Sequence, residues 1–147
     1  MSEMLTLTGT GPTIFSVTNA IFALRGVRLT GGNAVGINPV DSKTRRYGGY
    51  PRAVGEPPFI LGWDIAGVVE ETADRVTRFA VGDRVFGMPW FPRLARAYAE
   101  YVTSPSRQLA RTPDALTDEQ AGGLPLAGLT AWQSLVGPVV SPFREDL

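Results

Sequence analysis

Along residues 59–71 the chain reads FILGWDIAGVVEE, and a period of two sorts Trp63, Ile65, Gly67 and Val69 to one side and Asp64, Ala66, Val68 and Glu70 to the other. This alternation predicts the strongest β-strand of the sequence. Gly67 inside it predicts a bulge or a close backbone approach, because a mid-strand glycine otherwise only weakens the ladder. Val81-Gly82-Asp83-Arg84-Val85-Phe86 reads as a turn entering a second strand, and residues 97–102 and 107–111 supply two more. Four strands within about fifty residues, punctuated by glycine and proline, predict a β-barrel or sandwich.

Helices are fewer and announce their starts. Asn38-Pro39-Val40-Asp41 places a capping side chain before a proline at the first helical position, with an acid in the first turn, and predicts a short helix over 39–45. Thr117-Asp118-Glu119-Gln120 is a capping box, in which Thr117 and Gln120 satisfy each other's free amides, and Gly122-Gly123 closes that helix. Pro125 opens a third, where Leu129, Trp132 and Val136 recur at helical spacing until Gly137-Pro138.

With 147 residues and 44% apolar positions, one domain of this size buries about 70% of the surface of its unfolded chain, enough for a core. The chain has no Cys and no His. That removes disulfides, thiolate and Ser-His relays, and zinc sites built from sulfur or imidazole, so only carboxylates could hold a metal and no metal site is expected. Fourteen cations against fourteen acids leave no net charge and no basic stripe, which argues against nucleic acid and anionic membrane as partners. Met1 to Met4 include no cation and Asn19 interrupts the apolar stretch 14–24, so neither a signal peptide nor a membrane span fits and a cytoplasmic protein is expected. Of the carboxylates, Asp64 stands out as a candidate site residue, because it follows Trp63 in a strand otherwise buried.

Five motifs stand in order: GINPVD at 36–41, LGWDIAGVV at 61–69, FAVGDRVFG at 79–87, AYAEYV at 97–102 and LPLAGLTAW at 124–132. Together they resemble the medium-chain dehydrogenase/reductase superfamily, and in particular the catalytic, GroES-like domain of its zinc-free, quinone-reductase-like branch. The resemblance implies a mainly β fold, a partly open GroES-like barrel with a few short α-helices, over residues 34–136. It also implies hydride transfer from NADPH to a quinone, enone or similar small carbonyl compound. Zinc-dependent members carry Cys where Asn38 stands and His where Trp63 stands, so comparison and composition agree on a carbonyl polarised by hydrogen bonds rather than by a Lewis acid. By resemblance Asn38 and Thr130 lie beside the nicotinamide, while Tyr50 and Trp63 join Asp64 around the substrate pocket. No catalytic acid or base is assigned. Lys43 stands where many quinone reductases carry Tyr, so no role of that Tyr carries over.

Two departures from the pattern bear on activity. The family's phosphate-binding Gly-rich turn has no counterpart here, since Gly9-Thr10-Gly11 lacks the third glycine. Leu29-Thr30-Gly31-Gly32-Asn33, where relatives present an alternating strand, reads as a poor strand. The expected organisation is an atypical N-terminal segment over 1–33, the GroES-like domain over 34–136 and a tail over 137–147, with the cofactor domain absent. The chain alone is then expected to be inactive, and the alternative is a non-catalytic binding or assembly module. Leu126, Leu129, Trp132, Leu135 and Val136 exceed what one side of a short helix hides, which predicts self-association or capture of a separate Rossmann-bearing chain.

Overall fold

The computed structural model describes residues 26–30, 34–47 and 58–136. In chain order these form β1 (Gly26–Thr30), β2 (Ala34–Gly36), α1 (Pro39–Tyr47), β3 (Asp64–Thr72), β4 (Arg84–Gly87), β5 (Tyr101–Pro105), β6 (Leu109–Arg111), α2 (Asp118–Gly122) and α3 (Pro125–Leu135), with a 3-10 turn at Ser106–Gln108. All strand pairs are antiparallel, in the order β5-β1-β3-β4-β6, with β2 also on β3. The first half of β3 pairs with β2 and β4, and its second half turns to pair with β1. The result is a mainly β, partly open barrel carrying short helices, as the sequence predicts.

The period of two in β3 survives folding. Ile65 and Val69 join Val27, Leu29, Val85, Val102 and Leu109 in the barrel core, all at most 4% exposed. Side chains of this size each contribute about 1.5–3 kcal/mol on burial. The opposite face is buried too at its start, because α2 packs across β2 and β3. Arg84 fixes α2 there, its Nε and Nη2 donating to Asp118 Oδ1 at 3.0 and 2.6 Å and Nη2 also to the Leu116 carbonyl at 2.8 Å. The capping box forms as predicted, with Gln120 N–H donating to Thr117 Oγ1 and Thr117 N–H to Gln120 Oε1.

Several boundaries differ from expectation. The strand predicted from Phe59 begins at Asp64, because Gly62 adopts φ +93° and turns the chain. Ala97 and Tyr98, expected to open a strand, instead donate their N–H groups to the carbonyls of Gly62 and Leu61, and β5 starts at Tyr101. The bulge lies not at Gly67, which pairs regularly with Val85, but at Glu70, skipped between the pairs Arg28↔Glu71 and Leu29↔Val69. Residues 106–108 wind into a 3-10 turn, leaving only 109–111 as strand. Leu29 and Thr30, expected to make a poor strand, end β1 in the middle of the sheet. Pairing on both edges and the burial of Val27 and Leu29 outweigh the following glycines, and five residues assigned to the N-terminal segment thus belong to the barrel. The rest of 1–33, and the tail 137–147, lie outside the described residues. Among the described residues no helix is long and apolar enough to cross a membrane.

Candidate functional site

β2 and β3 meet at the pair Gly36↔Asp64, so the segments entering α1 and β3 leave from one end of the barrel. A side chain at position 36 would not fit, as an added Cβ would stand 2.5 Å from the Gly122 carbonyl oxygen and 3.0 Å from Asp64 Oδ2. The space so left holds the Asp64 carboxylate, which is fully buried. Asn38 Nδ2 donates to Asp64 Oδ2 at 2.9 Å, and the Leu126 N–H reaches both carboxylate oxygens at 3.1 Å. Pro125 at the first position of α3 has no N–H, so Leu126 offers the first available donor of that helix. One buried carboxylate therefore fastens Asn38 and the N-terminus of α3 to the barrel.

The expected cap at α1 is rearranged. The Asn38 side chain serves Asp64, and it is Asp41 Oδ2 that accepts the Asn38 N–H at 2.7 Å. Burial raises the Asp64 carboxyl, opposed by the hydrogen bonds from Asn38 and Leu126, and the neighbouring Asp41 raises it further. Tyr98 is pushed up to about 12, first by burial and then by the Asp41 carboxylate, so the phenol stays neutral at ordinary pH.

Helix α1 presents Val40, Lys43, Thr44 and Tyr47, and α3 presents Leu126, Leu129, Thr130 and Gln133. Each set repeats the i, i+3, i+4, i+7 spacing of one helix face. The two faces line a cleft of about 960 Å³, completed by Met88, Phe91 and Gln108. The Thr130 hydroxyl donates to the Leu126 carbonyl at 2.7 Å, so a path of hydrogen bonds, bridged by the Leu126 backbone, runs from Asn38 through Asp64 to Thr130.

The structure thus links Asn38, Asp64 and Thr130, although of the three only Thr130 lines the cleft and Asp64 ties the walls from behind. Trp63 does not line it either. It is 1% exposed, donates Nε1–H to the Arg93 carbonyl at 2.6 Å, and makes an edge-to-face contact with the cleft residue Phe91 at 5.7 Å between ring centres. Tyr50 lies outside the described residues. Sequence reading missed Tyr98 and the cleft faces of both helices. The repeats at 40–47 and 126–133 carried a signal for those faces, whereas nothing local marks Tyr98, whose ring packs against Gly62.

The free atoms suit a nicotinamide ribonucleoside. With its nitrogen committed to Asp64, Asn38 retains its carbonyl oxygen, and Thr130, having donated its proton, retains its lone pairs. Both are acceptors for carboxamide or ribose donors. Among the described residues no group of three or more His, Cys, Asp or Glu could hold a metal ion.

Residues 31–114 match the model of the alcohol dehydrogenase GroES-like domain. A 2-haloacrylate reductase from Burkholderia sp is 39% identical over 100 residues, 67% of this chain and 29% of that protein. Quinone oxidoreductase from Pseudomonas syringae pv. Tomato DC3000 superposes with a TM-score of 0.66 at 38% identity, over 76% of this chain and 32% of the other. Escherichia coli quinone oxidoreductase complexed with NADPH gives 0.63 at 29% identity, over 76% and 32%. The chain spans about 29 to 31% of the length of the first curated relatives it matches.

Proposed function

The chain belongs to the alcohol dehydrogenase GroES-like domain family of the medium-chain dehydrogenase/reductase superfamily, and from that premise we propose that it is the catalytic half of a zinc-independent oxidoreductase. The reaction is hydride transfer from NADPH to a quinone, enone or similar carbonyl compound. The observation that carries the reading is the link from Asn38 through Asp64 to Thr130 beside an apolar cleft.

NADPH, when bound, supplies the hydride. The residues of this chain bind and orient. Asn38 Oδ1 and the Thr130 hydroxyl accept hydrogen bonds from the nicotinamide ribonucleoside, while Val40, Met88, Phe91, Leu126 and Leu129 cover the acceptor ring and exclude water. An amide and a hydroxyl fix the cofactor without adding charge, which suits chemistry that resides in the cofactor. The absence of His and Cys from the sequence supports the zinc-independent reading.

Two measurements test this. The 147-residue chain alone should oxidise NADPH with 1,4-benzoquinone no faster than background, because it offers no Gly-rich phosphate turn and holding both reactants is worth roughly 7–11 kcal/mol of barrier. Residues 26–136, grafted in place of the matching domain of E. coli quinone oxidoreductase, should restore turnover, with Asn38→Ala lowering kcat/KM about tenfold or more, roughly 1.4 kcal/mol. A folded graft that binds NADPH but turns nothing over favours the non-catalytic module instead.

A further inference from the structure

Lys43 is the one lysine of the sequence and the one charged side chain among the described residues lining the cleft. Arg28 pairs with Glu71, Arg84 with Asp118 and Arg111 with Asp83, and none of the ion pairs among the described residues involves Lys43. It stands five residues beyond Asn38 on α1, about 7.5 Å further along the helix axis. Its backbone position is thus set apart from Asn38, which holds the nicotinamide in the reading above.

We propose that Lys43 is a specificity-determining residue, selecting flat apolar acceptors that carry an anionic substituent, such as a carboxylate, away from the reacting carbonyl. This rests on the assignment of the cleft to the acceptor. Apart from Lys43 the walls are apolar or neutral, with Met88, Phe91 and Leu129 facing a ring and Gln133 and Thr130 offering neutral polar groups. A carboxylate entering such a cleft loses water and needs a cationic partner there, or binding suffers. Lys43 supplies it, and a four-carbon stem beside Val40 and Tyr47 lets the head group follow the ligand. No acid lines the cleft to offset the charge.

The test titrates the 147-residue chain with naphthalene-2-carboxylate and with its uncharged counterpart naphthalene-2-carboxamide, reading the amide resonances of Leu129 and Thr130. The carboxylate should bind about fivefold tighter, the scale of a solvent-accessible ion pair. The difference should vanish in Lys43→Met, persist in Lys43→Arg, and shrink in about 1 M salt, where the screening length is about 3 Å. Equal affinities in the wild-type chain, or a preference that survives Lys43→Met, overturn the role of Lys43 while leaving the acceptor cleft standing. If neither compound shifts the Leu129 and Thr130 resonances, the cleft is not an acceptor site and both readings fall.

Discussion

Two aspartates show how the same side chain takes opposite parts. Asp83 accepts the Ala80 N–H at 2.7 Å and pairs with Arg111, and these hold its carboxyl below the ordinary 3.8. Its contribution is therefore complete above 3.8 and is lost as pH falls through the lower folded value. Thermal melts of wild type and Asp83→Asn between pH 3 and 7 should show the wild-type advantage narrowing towards the acid end. For Asp64, burial raises the carboxyl, so the folded chain keeps a proton that the unfolded chain releases, and ionisation erodes stability as pH rises from 3.8 through the raised value. Its worth lies in accepting from Asn38 and Leu126. Asp64→Asn turns one acceptor into a donor facing donors, and should cost about 1–3 kcal/mol in urea unfolding. An unchanged midpoint would show that the amide finds other partners.

Between elements, two glycines share φ +93° but not surroundings. An added Cβ at Gly82 meets nothing, whereas at Gly62 it would lie 2.6 Å from the Tyr98 ring in a segment pinned by two backbone hydrogen bonds. Gly82→Ala should cost about 1–2 kcal/mol for the backbone conformation alone, and Gly62→Ala roughly 3 kcal/mol or more, since overpacking is added. Similar midpoints in chemical denaturation would remove the Gly62–Tyr98 contact from the account. The contrast also marks what was legible beforehand. Ile65, Val69 and the Thr117–Gln120 box were readable because strand period and capping act over a few residues. The strand's true start, the register slip at Glu70 and the partner of Asn38 were not, as each is decided by a group far along the chain: Tyr98, Arg28 and Asp64. The motif comparison supplied Asn38 and Thr130 as a pair, and in the fold hydrogen bonds through Asp64 and Leu126 connect them.

At the scale of the molecule, α3 is the element least accounted for by its own domain among the described residues. Trp132 is 63% exposed, Leu135 84% and Val136 60%, beyond the face that lines the cleft. Apolar area in water costs about 25 cal/mol per Å², which favours covering it. Light scattering should therefore give at least a dimer, and Trp132→Glu should shift the mass towards the monomer by placing an unpaired charge in the contact. A wild-type monomer at roughly tens of micromolar, about the range where weak dimers form, would refute self-association.

Because α3 is fastened to Asp64 at its first available donor, its two ends are unequal as mechanical parts. Eleven residues span about 16 Å, so a tilt of about 10° around Leu126 would leave that end nearly still and carry the other through about 3 Å. Under such a tilt the gap between the helices would change least near Leu126 and most near Gln133. A load placed on Trp132 or Leu135 acts on the long arm of that lever, where a small force changes the aperture most.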